Sequence, residues 1–279
     1  MPLVERDAGG ASSRGGLRIV GLFVLATSLA VGGLAFGPVP TQAAQMKVVI
    51  VVGPVGGNTG HFKSVANDVA ADARQYGAAV TKIYSPYATW ARIKSAARGA
   101  NLFVYLGHGN GWPSPYSPFQ TRTKNGVGAN STSGGGNSNH KYFGERYVAS
   151  ELNLAPNAVV LLMRLCYASG NSEPGRANPT KSVAIQRVDN YGAGFLRSNA
   201  RAVFAEGVYN SRYILRGLFK TNKTMTEIFW SAPHAVRSYR LSFRSQRTSG
   251  ARGVLDPRRP GSYYRSIVGA LNMTASTWR

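Results

Sequence analysis

A histidine and the one cysteine of the sequence each follow an apolar run. His108 comes directly after the run 102–107, Leu-Phe-Val-Tyr-Leu-Gly, and Cys166 comes directly after the run 159–165, Val-Val-Leu-Leu-Met-Arg-Leu. If the two runs are neighbouring parallel strands, both side chains emerge at the same edge of the sheet, because adjacent strands lie ~4.8 Å apart. The spacing therefore predicts a thiol and an imidazole side by side.

A thiol beside an imidazole is suited to nucleophilic catalysis. The thiolate is the nucleophile, and a neighbouring histidine lowers the pKa of the thiol. The imidazole can then protonate a leaving amine as a general acid. The backbone N–H groups of Gly109 and Cys166 would lie where an oxyanion needs donors. We therefore predict Cys166 and His108 as catalytic residues, with an oxyanion hole formed by the backbone of Gly109 and Cys166.

Each of the two residues also has a structural interpretation. A cysteine at the end of a buried strand is often a small apolar filler, and a His-Gly pair at a strand end is often only a turn. The occurrence of both, each after an apolar strand and before a loop of small residues, raises the functional interpretation to the same level as the structural one.

The elements that must position this pair alternate along the chain. Apolar runs predict strands at 46–52, 79–84, 101–106, 158–165 and 201–205, and helical spacing of apolar residues predicts helices at 62–76, 89–98 and 181–198. Continuous apolar strands are typical of a parallel sheet that is covered on both faces. The alternation predicts a three-layer α/β sandwich.

One connection is unusually long. Residues 109–139 are rich in Gly, Pro, Ser and Asn and leave the carboxyl end of the third predicted strand. A structureless loop of this length is either functional or disordered, and open α/β sheets keep their ligand sites at this end of the strands.

The two blocks around His108 and Cys166 resemble the histidine and cysteine blocks of the caspase-like cysteine peptidases. That clan includes caspases, metacaspases, legumains, clostripain and gingipains. The resemblance covers roughly residues 46–210. It implies a three-layer sandwich with a mostly parallel sheet, and peptide-bond cleavage with Cys166 as nucleophile and His108 as general acid and base.

Four further residues are candidates for a substrate pocket. A preference for basic substrates needs a buried acidic residue. Glu173 follows closely after Cys166 and Asp189 lies on the next helix, so either could serve, although carboxylates at such positions are more often solvated at the surface or placed as helix-capping charges. His140 and Tyr142 close the long loop and could line the cleft or be simply exposed.

The first 44 residues are typical of a secretory signal peptide. A basic start is followed by the apolar run 19–36 and by a small-x-small site, which predicts cleavage near Ala43–Ala44. The alternative is an uncleaved membrane anchor, because the run approaches the ~20 residues that span a bilayer. We therefore expect a secreted or extracytoplasmic protein with a signal peptide at 1–44, a caspase-like domain at 45–210 and a basic C-terminal extension at 211–279 packed on the same domain.

Charge and cysteine content exclude several classes of protein. The chain has 33 Lys and Arg against 11 Asp and Glu, and one cysteine. One cysteine excludes an intramolecular disulfide and a cysteine-rich metal cluster. No metal or other cofactor is predicted, because the histidines form no close pair at ligand spacing and the loop 53–60 lacks the ending of a phosphate-binding P-loop.

The extension carries much of the positive charge. Residues 212–265 contain 12 Lys or Arg against Glu227 and Asp256. Around 237–247 the arginines recur at helical spacing while the apolar residues alternate as in a strand, so both structures stay open. No nucleic-acid motif is present, and outside the cell anionic wall polymers or lipid headgroups are nearer partners; a merely solvated basic face is the structural alternative.

Besides a polyanion binder built on residues 212–265, whose binding would be salt-sensitive and would survive loss of the cysteine, two functions from different classes follow. The first is an exported cysteine-dependent hydrolase, an endopeptidase that acts on a peptide or protein through an acyl-enzyme. The second is a catalytically inactive caspase-like module that binds cell-wall polymer or a protein partner through its cleft and basic surface.

Overall fold

The structure is a computed structural model that describes residues 45–116, 118–208 and 210–279. The predicted signal peptide, including its cleavage site at Ala43–Ala44, lies outside the described residues. None of the helices in the described part of the chain is both long and apolar enough to cross a membrane.

Strands and helices alternate through most of the described chain. The strands are β1 (Lys47–Val52), β2 (Ala79–Tyr84), β3 (Leu102–Leu106), β4 (Val127–Asn130), β5 (His140–Phe143), β6 (Ala158–Met163), β7 (Ala200–Glu206), β8 (Leu241–Arg244), β9 (Arg252–Leu255) and β10 (Arg265–Gly269). The helices are α1 (Thr59–Gln75), α2 (Trp90–Ala97), α3 (Glu145–Glu151), α4 (Lys181–Arg197), α5 (Arg212–Lys220), α6 (Met225–Trp230) and α7 (Ala275–Trp278). All the strands and helices predicted from hydrophobic spacing are present within a few residues of their expected bounds.

Eight of the strands form one sheet in the order β2-β1-β3-β6-β7-β10-β9-β8. The first five run parallel, and the last three are added in antiparallel orientation. Every residue of β3 and β6 is buried, because α2, α3 and α4 pack on one face of the sheet and α1, α5, α6 and α7 on the other. The prediction of a three-layer α/β sandwich with a mostly parallel sheet is therefore confirmed.

The C-terminal extension continues the central sheet. Its segment 237–247 contains the strand β8, in which Leu241 and Phe243 pack against the core while Ser242 and Arg244 are exposed. The alternation of apolar residues, rather than the spacing of the arginines, thus indicated the secondary structure. A capping box of Thr224 and Glu227 begins α6.

The long connection after β3 is not structureless. It contains β4, which pairs antiparallel with β5 to form a two-stranded ribbon. The sequence analysis predicted a functional or a disordered loop here. It missed β4 because the four residues Val-Gly-Ala-Asn show no alternation of apolar and polar side chains.

A buried ion network holds the extension to the parallel half of the sheet. The Arg265 side chain is 1% exposed, and its guanidinium donates to Glu206 Oε1 at 3.1 Å and forms an ion pair with Asp256. It also donates to the Phe229 carbonyl at 2.6 Å, and Tyr213 donates to Glu206. One cation therefore links strands β7 and β10 with the end of β9 and with helices α5 and α6.

Removing the cation should destabilise the protein strongly. We expect Arg265→Ala to lower the free energy of unfolding by about 3–5 kcal/mol, because two buried carboxylates lose their partner. Urea denaturation of the parent and the variant measures the difference. The matched control is Arg259→Ala, an exposed arginine whose loss should change the free energy by less than about 0.5 kcal/mol. Equal stability of the two variants would contradict the role of the network.

Candidate active site

The strands that carry His108 and Cys166 are direct neighbours. β3 pairs parallel with β6, and Leu106 lies opposite Met163. His108 stands two residues beyond the end of β3, and Cys166 stands three residues beyond the end of β6. Both residues thus leave the sheet at its carboxyl edge. The condition set in the sequence analysis, that the two runs are neighbouring parallel strands, is met.

The loop after His108 touches the backbone of Cys166. A Cβ atom added at Gly109 would lie 2.1 Å from the carbonyl oxygen of Cys166 and 3.0 Å from its nitrogen. Only glycine allows this approach. Among the described residues, neither the N–H of Gly109 nor that of Cys166 donates a hydrogen bond. Two unpaired backbone donors therefore lie side by side next to the thiol.

The backbone around Cys166 is strained. Arg164 has φ +61° and Tyr167 has φ +71°, so two non-glycine residues in the left-handed region flank the cysteine within three positions. Such residues cost of order 1–3 kcal/mol each and persist where the surroundings hold them. Here the Arg164 N–H donates to the Glu206 carbonyl at 2.8 Å, and the Gly170 N–H donates to the Tyr167 carbonyl at 2.9 Å.

The thiol faces a cavity of about 300 Å³. Cys166 itself is partly buried. The cavity is lined on one side by the turn after β6 and the loop that follows it, and on the other by the loops after β7 and β9: Arg164, Leu165, Cys166, Asn171, Ser172, Glu173, Pro174, Gly175, Arg176, Asn178, Gly207, Val208, Gly261, Ser262, Tyr263 and Tyr264. The cavity therefore needs residues of the C-terminal extension to close it.

The thiol and the imidazole are both neutral near pH 7. Burial, with a smaller contribution from the Glu173 carboxylate, raises the pKa of Cys166 to about 11. Burial and the neighbouring His140 lower the pKa of His108, and Glu173 opposes that change. We expected the histidine to lower the pKa of the thiol; the structure gives the opposite direction, because desolvation disfavours the thiolate and no hydrogen bond joins His108 to Cys166.

The β4–β5 ribbon brings two of the predicted pocket residues to His108. The ring centroids of His108 and His140 are 5.0 Å apart, and those of His140 and Tyr142 are 5.1 Å apart. Burial raises the pKa of Tyr142 to about 12, and repulsion from Cys166, which is ionised at that pH, adds to the increase. Within the described residues, no three His, Cys, Asp or Glu side chains are arranged to hold a metal ion.

The two candidate carboxylates lie in different surroundings. Glu173 lines the cavity at Cys166 and also a second cavity of about 380 Å³, and it accepts a hydrogen bond from Tyr116 Oη at 2.9 Å. Asp189 is buried on α4 and lines neither cavity. It accepts from the N–H of Gln246 at 2.7 Å and from the Ser245 hydroxyl. The structure thus brings Glu173 to the site and does not bring Asp189 there, because Asp189 anchors the extension.

Two buried tyrosines position the loops of the site, and the sequence analysis did not identify them. Tyr105 Oη accepts from the Gly128 N–H at 2.8 Å and lies 3.1 Å from the His108 carbonyl oxygen. Tyr191 Oη accepts from the Asn110 N–H at 3.2 Å and donates to the Gly126 carbonyl at 2.9 Å. A tyrosine on a buried, otherwise apolar strand or helix needs a hydrogen-bond partner for its hydroxyl. The presence of a tyrosine in each of these apolar segments is the sequence signal that could have identified Tyr105 and Tyr191.

Comparison with known proteins gives a distant similarity to a solved structure. No family model matches the chain, and no curated protein matches it. The chain is similar to the crystal structure of the Arg specific cysteine proteinase gingipain R (RGPB), with 14% identity and a TM-score of 0.35. The match covers 82% of this chain and 61% of that one, so it spans less than two thirds of the proteinase.

Proposed function

We propose that the protein is a cysteine-dependent hydrolase, an endopeptidase that uses Cys166 and His108. The observation that carries the proposal is the contact of Gly109 with the Cys166 backbone. It sets two unpaired N–H donors beside a thiol in a cavity, with an imidazole on the adjoining loop. A small apolar filler would need neither the cavity nor the strained turn that surrounds Cys166.

The neutral state of both groups defines the order of proton transfers. His108 accepts the thiol proton as the sulfur attacks the carbonyl carbon of the scissile bond. The oxyanion accepts hydrogen bonds from the N–H groups of Gly109 and Cys166. His108 then gives its proton to the leaving amine, and a thioester remains on Cys166. Water hydrolyses the thioester, and the thiol regains its proton.

Substrate recognition in this proposal rests on the residues around the two cavities. Glu173 is the one acidic residue that lines either of them. We assign it to the pairing with a cationic substrate group, which would replace the hydroxyl of Tyr116. His140 and Tyr142 would contact the substrate on the side of His108.

A second function is favoured by a specific observation. The pKa of Cys166 is raised to about 11, and the thiol has no hydrogen bond to His108. Both facts suit an inactive module that binds a polymer or a protein partner through the same cleft. Such a module would tolerate loss of the thiol.

Peptide cleavage separates the two functions. We expect residues 45–279 to cleave members of a mixed peptide library under reducing conditions. Cys166→Ala and His108→Ala should abolish cleavage while the circular dichroism spectrum stays unchanged. Mass spectrometry identifies the products and the residues next to each cut. A library left intact by the parent, or cut equally by the Cys166→Ala variant, would contradict the hydrolase.

The reactivity of the thiol should depend on pH and on Glu173. The alkylation rate of Cys166 by iodoacetamide should rise about tenfold per pH unit above pH 7, because the thiolate is the reactive form and its pKa lies at about 11. Glu173→Gln removes a negative charge that raises this pKa, so the variant should react roughly threefold faster at pH 8. The control is Asp68→Asn, an exposed carboxylate on α1, which should react like the parent. A rate that is independent of pH between 7 and 9 would show that the thiolate is already formed.

Export is also part of the proposal. We expect the full sequence, expressed in a host with a secretory pathway, to appear outside the cytoplasm with Ala44 or Gln45 as its first residue. N-terminal sequencing of the purified product tests the site. A membrane-bound product that keeps residues 19–36 would instead support the uncleaved anchor.

A further inference from the structure

Three adjoining cavities form a groove at the amino edge of the parallel strands, opposite the edge that carries Cys166. Their volumes are about 570, 440 and 680 Å³. The first and second share Asn199, and the second and third share Arg201, Gly250, Gly269 and Ala270. We call this surface, from Arg98 to Arg252, the amino-edge groove.

The groove crosses much of the sheet. Its lining includes residues of the connections that lead into β3, β6 and β7, the end of β10 and the start of β9. These five strands are consecutive in the sheet. At ~4.8 Å between strands, the groove is about 19 Å long. That length suits an extended ligand rather than a single small molecule.

The groove is positively charged, and three of its arginines are uncompensated; its other two cations, Lys94 and Arg197, pair with Glu151 and Glu145. Arg98, Arg201 and Arg252 are exposed, and no carboxylate of the described residues pairs with them. The one acidic residue in the lining, Glu151, is already bound by Lys94 Nζ and Trp90 Nε1, each at 2.8 Å.

A pair of like charges gives an independent indication of an anionic ligand. Arg244 on β8 lies directly opposite Arg252 on β9, and both are exposed. Like charges directly opposite in an antiparallel pair destabilise a sheet. An anion bound between the two guanidinium groups would attract both of them and offset their mutual repulsion.

The chemistry of the lining indicates which kind of anion fits. The remaining polar residues carry amides and hydroxyls: Ser95, Ser150, Asn153, Asn157, Ser198, Asn199, Thr224, Thr226, Thr248, Ser249 and Asn272. The lining contains no aromatic ring, whereas proteins that bind single-stranded nucleic acid stack bases on aromatic side chains. Amides and hydroxyls between spaced arginines match the alternating hydroxyl and acid groups of a sugar chain.

We propose that the amino-edge groove binds a linear acidic polysaccharide. Arg201, Arg244 and Arg252 pair with its carboxylate or sulfate groups, and the surrounding Asn, Ser and Thr side chains contact its hydroxyls. The site is separate from Cys166, so the protein can hold the polymer at one edge of the sheet while its cleft stays open at the other.

Binding of polygalacturonate and of heparin to residues 45–279 tests the proposal, because one carries carboxylates and the other mainly sulfates. The groove variant is R201S/R244S/R252S. The matched control is R216S/R240S/R259S, which removes the same charge from three exposed arginines outside the groove. Dissociation constants are measured by biolayer interferometry at 0.15 M salt, with dextran as the neutral polymer and oligo-dT as the competing polyanion.

The outcomes are distinct. We expect the groove variant to bind at least one of the two acidic polysaccharides about tenfold more weakly than the parent, the control variant to lose about threefold at most, and Cys166→Ala to bind like the parent. Equal losses in the two triple variants would mean that only net charge matters and would overturn the proposal. Oligo-dT binding that is as tight as that of the polysaccharides and equally sensitive to the groove variant would overturn the assignment to a sugar chain. No binding of either acidic polysaccharide by the parent would also overturn it.

Discussion

The parallel pairing of β3 with β6 is the constraint on which the site depends. Both strands are buried on both faces, so their register cannot slip without exposing large apolar side chains to water. The register sets Leu106 opposite Met163, and the two loops that follow must therefore leave the sheet together. The approach of Gly109 to the Cys166 backbone follows from that pairing, since the loops have no room to diverge.

The burial that stabilises this pairing also opposes the chemistry. The Cys166 thiol is largely removed from water at the edge of the sheet, and the Glu173 carboxylate adds a negative charge nearby. Both effects disfavour the thiolate and raise the pKa of Cys166 to about 11. The same desolvation, with the help of His140, keeps His108 neutral. A pair in this state works only by transferring the proton during the attack, which makes the position of the imidazole more important than its charge. Tyr105 and the β4–β5 ribbon contact the loop of His108 and would therefore position the imidazole in the proposed mechanism.

Much of the fold could be predicted because short segments of the sequence are enough to indicate its strands and helices. The apolar runs of β1, β3 and β6 and the helical spacing of α1 and α4 are readable within a few residues, and they were sufficient to predict the sandwich and to place His108 and Cys166 at strand ends. The ribbon of β4 and β5 was not readable, because its strands are stabilised by pairing with each other and by the Tyr105 hydroxyl rather than by their own composition. The surroundings of Asp189 were not readable either, since they depend on Gln246, 57 positions further along the chain.

The C-terminal extension connects the two edges of the sheet. Its residues Gly261 to Tyr264 close the cavity at Cys166, while β9 supplies Arg252 to the amino-edge groove and β8 carries Arg244 opposite it. Between them lies Arg265, buried with Glu206 and Asp256. Removing one partner of a buried ion pair costs several kcal/mol of stability. Separation of β9 and β10 from β7 would therefore be strongly unfavourable. The cleft and the basic groove are therefore both built on a segment that one buried ion network joins to the sheet.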